Sequence, residues 1–224
     1  MAVQDMPRKL WEPTDPKGTQ MYSLIQTINR NHNIQLESFQ DLYEYSTKHR
    51  SAFYAQLFNW ANIIHTGSPS AVVDESAAID TVPRWFSGVN VNWTENILFS
   101  RGASDVPSHR DVTGKENDKI AVTEIREGNT QVRDVSWAAL REDAGRLAAA
   151  LKARGIQQGD RVVVVGSNSV NTLLVFLATA WLGAIFVSAS VDMGVGGILQ
   201  RTVQIDPKAS TRRHETQCLP VTLG

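Results

Sequence analysis

Two glycine-bearing segments are the first candidates for chemistry, because glycine lets the main chain approach a phosphate closely. Residues 163–168 run from an apolar strand pattern through Gly-Ser-Asn into a helix pattern, but they carry one glycine where a dinucleotide-binding fingerprint needs three. Residues 194–197 (Gly-Val-Gly-Gly) either approach a ligand phosphate or form a loop that opens a helix over 198–205. We interpret the first segment as a tight strand-to-helix turn and favour the loop for the second, and the phosphate alternative stays open for both.

Other residues that commonly do chemistry lack the required spacing. Residues 113–115 (Thr-Gly-Lys) have no glycine at the upstream position of a nucleotide-binding loop, and Glu116 follows where Ser or Thr is needed. The sequence has no Gly-x-Ser-x-Gly elbow and no paired carboxylates, and its five histidines lack metal-ligand spacing. Asp192 follows a predicted strand, where ligands often bind, although a capping or loop carboxylate is the alternative. We therefore predict no catalytic residue and no metal ligand.

The first half of the chain is predicted to be mostly helical. Apolar residues recur at helical spacing over 21–28, and Ser38 begins a second helix with a Ser-x-x-Asp start signal. Ser51 is predicted to cap a third helix, whose aromatic residues pack in a core, and Thr94 to cap a short fourth one. Residues 65–92 lack periodicity and are predicted to be a long connection.

The second half alternates strands with helices. A hairpin is predicted over 120–135, followed by a long helix that Ser136 caps and that ends before Gly155. Residues 162–165 and 185–187 predict two strands on either side of a helix, which implies a parallel pair with a right-handed crossover. The predicted fold class is therefore α/β with a helical N-terminal preface.

Composition excludes several classes of protein. The formal net charge of -1 gives no electrostatic reason to bind nucleic acid or an anionic membrane. The one cysteine, Cys218, cannot form an internal disulfide or a metal cluster. The first residues lack the apolar core of a signal peptide, so a cytoplasmic location is expected. Residues 162–191 carry no charge, but polar residues at 167–169 interrupt them, which favours a buried strand–helix–strand over a membrane span.

Several segments together resemble the opening part of the adenylate-forming acyl-CoA synthetases. Residues 85–98 (Trp-Phe-Ser-Gly-Val-Asn-Val-Asn-Trp-Thr-Glu-Asn-Ile-Leu) are similar to the family's signature Trp-Phe-x-Gly-x-x-x-Asn-x-x-Glu-Asn-Leu-Leu. Residues 36–60 resemble the paired helices that open acetyl-CoA and acetoacetyl-CoA synthetases. Further similar segments, of which the last three look like the acetoacetate–CoA ligase branch, lie at 135–140, 159–162, 181–186, 188–194, 198–201 and 204–208. The resemblance extends over roughly residues 10–208.

The resemblance implies an ATP-dependent ligase that acts on a small-molecule acid. In the family a carboxylate attacks ATP to give an acyl-adenylate and pyrophosphate, and the CoA thiolate then displaces AMP, so ATP, CoA and Mg²⁺ are expected for the full-length enzyme. The family's Thr-Ser-Gly-Thr-Thr-Gly-x-Pro-Lys phosphate loop is not found in the 224 residues, and neither is its catalytic lysine motif. By position in the family, only the turn Ser190, Val191 and Asp192 is expected near CoA.

The resemblance also divides the chain. An extended N-terminus (1–18) and a region of helices and loops (19–118) precede the start of an AMP-binding α/β domain (119–208). Residues 209–224 are polar and patternless where the family continues into an apolar strand, which predicts a tail from a truncated gene model, a retained intron or a frameshift. A sheet that is cut partway leaves strand edges unpaired, and such edges pair with other chains. We therefore predict a protein of marginal stability that tends to aggregate.

Three hypotheses for function follow from these patterns. The chain is either a fragment of an acetoacetate–CoA ligase-like enzyme that is inactive alone, or a non-catalytic binding or regulatory module that associates with a full-length ligase. A third hypothesis, a stand-alone nucleotide-binding α/β domain, is weakened by the missing glycine fingerprint.

Overall fold

The computed structural model describes residues 10–212 and 221–223, which fall into two compact units. The first unit comprises residues 10–62 and 67–89, and the second comprises 63–66, 90–212 and 221–223. The α-helices of the described residues are α1 (Gln20–His32), α2 (Phe39–Lys48), α3 (Arg50–Trp60), α4 (Trp93–Leu98), α5 (Trp137–Ala153), α6 (Val170–Trp181) and α7 (Val195–Ile205). The strands are β1 (Ala71–Val73), β2 (Trp85–Ser87), β3 (Ser100–Arg101), β4 (Arg110–Asp111), β5 (Ile120–Ile125), β6 (Val132–Ser136), β7 (Arg161–Val165), β8 (Ile185–Ala189), β9 (Ala209–Arg212) and β10 (Val221–Leu223).

Three helices and a small sheet form the first unit. The apolar faces of α1, α2 and α3 share one core. The start signal of α2 is confirmed as a capping box, because Ser38 and Asp41 bond reciprocally to each other's main chain. The predicted cap of α3 is wrong: the helix begins at Arg50, and the Ser51 amide donates to a Glu75 carboxylate oxygen at 2.7 Å. That carboxylate lies 24 residues away in sequence, where no local pattern reveals it.

The connection over 65–92 contains more structure than its sequence predicts. Strands β1 and β2 pair antiparallel within it. Aromatic residues of α3 pack against β2: the ring centroids of Tyr54 and Trp85 lie 4.7 Å apart, and those of Phe58 and Phe86 lie 4.6 Å apart. These contacts confirm that the α3 aromatic residues pack within the unit.

Helix α4, the β5–β6 hairpin and α5 belong to the second unit. Asn92, and not the predicted Thr94, caps α4, because its side chain accepts a bond from the Glu95 amide at 3.0 Å. Strands β5 and β6 form the predicted antiparallel hairpin, and Ser136 caps α5 as predicted. Gly155 follows α5 with a φ of 84°, a left-handed conformation that suits glycine at this C-terminal position.

The central sheet has the order β10-β9-β7-β8, in which β7 is parallel to both β8 and β9. Helix α6 connects β7 to β8, and α7 connects β8 back across β7 to β9. Crossovers between parallel strands are right-handed as a rule, and these two run in opposite directions along the sheet, so we infer that α6 and α7 lie on opposite faces. The chain therefore leaves β7 and β8 towards opposite faces, which makes their carboxyl ends a topological switch point.

Strand β9 corrects the expectation that a patternless tail begins at residue 209. Ala209 pairs with Val162 and is completely buried, and the strand continues to Arg212. Main-chain pairing with β7 forms this strand although its side chains carry no apolar alternation. Residues 213–220, with Cys218, lie outside the described residues.

Candidate functional site at the switch point

A cavity of about 750 Å³ opens at the carboxyl ends of β7 and β8. The end of β8 and two connections form most of its lining: residues 166–169 after β7, Ala189 at the end of β8, and residues 190–192 after β8. Side chains of α6 and β8 complete it, namely Thr172, Leu173, Phe176, Phe186 and Ser188. The site thus occurs at the place where open α/β sheets bind ligands, which the order of the strands determines.

The connection after β7, residues 166–169, is held in a defined shape by hydrogen bonds. The Gly166 amide donates to the Ala189 carbonyl at 3.3 Å, which joins the two connections. The Thr172 hydroxyl donates to the Ser167 carbonyl at 2.8 Å, and the Ser169 hydroxyl accepts from the Thr172 amide at 3.3 Å. A Cβ atom at Gly166 would lie 3.1 Å from the Thr172 hydroxyl, so glycine gives this threonine room. The structure supports the interpretation of residues 163–168 as a tight strand-to-helix turn.

The three residues expected near CoA all line this cavity. Ser190, Val191 and Asp192 form a turn in which the Met193 amide donates to the Ser190 carbonyl at 3.3 Å. The Ser190 hydroxyl donates to Asp192 Oδ1 at 2.7 Å, so this bond orients the carboxylate. Contact of these residues with CoA stays a prediction.

The cavity lining is polar on one side and apolar on the other. Hydroxyl and amide groups come from the two connections, whereas Leu173, Phe176 and Phe186 form the apolar side, and the last two rings lie 4.9 Å apart. Asp192 is the one charged residue among those that line the cavity. Such a lining can hydrogen-bond and bury a ligand. Within the described residues no cluster of His, Cys, Asp and Glu is arranged to hold a metal ion.

The glycine-rich residues 194–197 and the Thr-Gly-Lys segment 113–115 do not line this cavity. Residues 195–197 form the first turn of α7, with Gly194 at its N-cap, so the helix begins earlier than the predicted residue 198. Lys115 donates to the carbonyls of Asn96 at 2.8 Å and Phe99 at 2.6 Å, where it caps the C-terminus of α4. Burial, and then the nearby Arg141 charge, lower the pKa of Lys115.

The signature segment 85–98 contributes to the site indirectly. The side-chain amide of Asn92 donates to the Trp181 carbonyl at 2.9 Å, and the buried Thr94 hydroxyl donates to the Leu177 carbonyl at 2.9 Å. Asn96 accepts from the Ile64 amide at 2.8 Å and donates to its carbonyl at 3.0 Å. The bonds of Asn92 and Thr94 fix α4 against α6, whose opposite end walls the cavity, and those of Asn96 hold the segment around Ile64. Hydrogen bonding therefore explains the two asparagines of the signature, Asn92 and Asn96.

Sequence patterns missed several residues of the cavity. Thr172, Phe176 and Phe186 were part of the apolar strand–helix–strand pattern, and no signal in it distinguishes lining residues from core residues. None of the helices in the described part of the chain is long and apolar enough to cross a membrane.

Comparison with known proteins places this geometry in context. A family model described as "AMP-binding enzyme" matches residues 109–218, which extends past the predicted family boundary at 208. The chain is 37% identical over 199 residues to the acetoacetyl-CoA synthetase of Xenopus tropicalis, covering 89% of this chain and 28% of that protein. It is 37% identical over 200 residues to the malonamoyl-CoA synthetase vrtB of Penicillium aethiopicum, covering 89% of this chain and 26% of that protein.

A solved structure shows the same fold. The acetoacetyl-CoA synthetase from Streptomyces lividans superimposes with a TM-score of 0.77 and 24% identity, over 92% of this chain and 30% of that one. The fold is that of the N-terminal part of an adenylate-forming synthetase. The chain spans between a quarter and a third of the length of these relatives.

Proposed function

Since the chain belongs to the adenylate-forming acyl-CoA synthetases, we propose that it supplies the N-terminal scaffold and part of the CoA-side cavity of an ATP-dependent acid–CoA ligase. In the proposed reaction, an acid is activated to its adenylate with ATP and transferred to the CoA thiol, with Mg²⁺ required as in the longer family members. The names of the two sequence relatives describe acyl groups with a carbonyl at carbon 3. We therefore propose a short 3-carbonyl acid as the substrate class.

The observation that carries this proposal is the position of the turn 190–192. Family position predicts that the turn lies near CoA, and the turn lines a cavity at the switch point of the parallel strands. The lining offers hydrogen-bonding groups and an apolar wall, but no group that stabilises a transferring phosphoryl centre. The proposed contribution of these 224 residues is therefore binding and scaffolding rather than bond making.

CoA titration of the 224-residue chain, followed by calorimetry, tests the binding part of the proposal. We expect saturable binding, and Ser190→Trp should weaken it by about tenfold, because the indole fills the cavity that a ligand needs. Ser108→Trp, at an exposed position of the same unit, is the matched control and should bind CoA like the unaltered chain. Equal CoA affinity in all three proteins would contradict a CoA site in this cavity.

Exchange of pyrophosphate into ATP tests the catalytic part. The chain contains no recognisable phosphate loop, so we expect no acid-dependent exchange with acetoacetate or malonamate. A full-length acetoacetyl-CoA synthetase in the same assay is the positive control. Robust acid-dependent exchange by the 224-residue chain would show that it performs the chemistry itself.

A further inference from the structure

Three residues, Ser167, Asn168 and Ser169, separate two cavities, and we call them the dividing segment. On one side lies the switch-point cavity described above. On the other side lies a second cavity of about 490 Å³, formed with the end of the β5–β6 hairpin. The dividing segment is three residues long and borders open space on both sides, so hydrogen bonds to neighbouring elements are needed to hold its shape.

The dividing segment is anchored differently on its two sides. On the side of the switch-point cavity, Thr172 bonds to the Ser167 carbonyl and Gly166 bonds to β8. On the hairpin side, Glu124 Oε1 accepts a hydrogen bond from the Val170 amide at 3.3 Å. This bond joins residues 46 positions apart and connects the hairpin to the start of α6.

The surroundings of Glu124 suit a fixed carboxylate. Its side chain is only 12% exposed, and the Arg126 guanidinium lies 3.9 Å away. Across the hairpin its register partner is Arg133. The Ser169 hydroxyl is engaged by the Thr172 amide, so the carboxylate satisfies the first amide of α6, which otherwise lacks an intrahelical partner. A negative charge at a helix N-terminus is stabilising, and here it is held by a separate element.

We propose that Glu124 is a positioning residue that fixes the dividing segment, and so the polar wall of the switch-point cavity, from the β5–β6 hairpin. Glu124 does not line that cavity and acts through Val170. The carboxylate also occupies the place at the α6 N-terminus that an anion would otherwise take, so the dividing segment presents its hydroxyl and amide groups to a ligand. The inference rests on the proposed CoA site for its consequence in binding, but the anchoring itself is independent of any ligand.

CoA titration of Glu124 variants tests the proposal. Glu124→Ala removes the acceptor and should weaken CoA binding by about fivefold, whereas Glu124→Gln keeps an amide oxygen in place and should stay within about twofold. Glu127→Ala is the matched control, because Glu127 lines the second cavity as Glu124 does and its substitution removes one negative charge as well. A purely structural role would lower the melting temperature of Glu124→Ala and leave its CoA affinity unchanged, and that result would overturn the proposal.

Amide hydrogen exchange separates this inference from the proposed function. If the unaltered chain does not bind CoA, the proposed CoA site is wrong. The anchoring of the dividing segment by Glu124 is then tested by amide hydrogen exchange in residues 167–173 alone. Glu124→Ala should accelerate exchange there by about tenfold relative to α5, and Glu124→Gln should restore most of the protection. Unchanged exchange in Glu124→Ala would overturn the anchoring itself.

Discussion

Two threonines of the second unit, Thr94 and Thr179, are both completely buried, but their hydroxyl groups differ. The Thr94 hydroxyl donates to the Leu177 carbonyl of α6 at 2.9 Å. Among the described residues, the Thr179 hydroxyl has no hydrogen-bond partner. A buried hydroxyl that is unbonded costs free energy, whereas a bonded one contributes to stability, so the same substitution should act in opposite directions at these two sites.

We therefore expect Thr94→Val to lower the free energy of unfolding by about 1–2 kcal/mol, because a hydrogen bond is lost with little change in shape. Thr179→Val should leave it unchanged or raise it by up to about 1 kcal/mol, because only an unsatisfied hydroxyl is removed. Urea-induced unfolding of both variants provides the measurement, and each serves as the control for the other. Equal losses of stability would show that volume, and not hydrogen bonding, decides at both sites.

At the scale of elements, residues 206–208, which link α7 to β9, are bonded to the turn 155–160 that precedes β7. Lys208 Nζ donates to the Gly155 carbonyl at 2.7 Å and to Asp160 Oδ2 at 2.9 Å. The Gln157 amide donates to the same carboxylate oxygen at 2.7 Å. The Lys208 bond, followed by the Gln157 bond, holds the pKa of Asp160 below its usual value of 3.8.

A lowered carboxyl pKa means that ionised Asp160 stabilises the folded state. This contribution is complete above the unfolded pKa, near 3.8, and is lost as the pH falls through the lower folded pKa. We expect Asp160→Asn to flatten the loss of stability below about pH 4, measured as urea midpoints across the acid range. Asp118→Asn, at an exposed site, should keep the profile of the unaltered chain. An unchanged acid profile in Asp160→Asn would show that the link does not depend on this carboxylate.

At the scale of the whole molecule, α7 has an apolar stripe that no described element covers. Val195, Leu199 and Val203 lie one turn apart and are 75%, 58% and 80% exposed. Strand β8 is at the edge of its sheet in the described residues and pairs with β7 alone. An uncovered apolar stripe and an open strand edge both favour association with other chains.

We expect the chain to self-associate as its concentration rises, with sedimentation velocity as the measurement. Leu199→Lys together with Val203→Lys should shift the distribution towards monomer, because charges on the stripe oppose its burial. Gln204→Lys adds a charge to the same helix at an already polar, exposed position and should change little. If the unaltered chain stays monomeric and melts in one sharp transition, the predicted marginal stability is wrong.

The sequence by itself determined the helical preface, the α/β order of the second half and the family. Capping at Ser38 and Ser136 was predictable, because these signals act within about one helical turn and depend little on the rest of the fold. The family signature was recognisable because hydrogen bonds such as those of Asn92 and Asn96 require specific residue types.

Only the tertiary structure decided which of these elements meet. Strand β9 depends on pairing with β7, the α3 cap on Glu75, and the support of the dividing segment on Glu124. Each joins residues tens of positions apart, and local propensity carries no information about such pairs. The cavity likewise lies where the connections that follow β7 and β8 run in opposite directions along the sheet, a consequence of strand order that no single segment encodes.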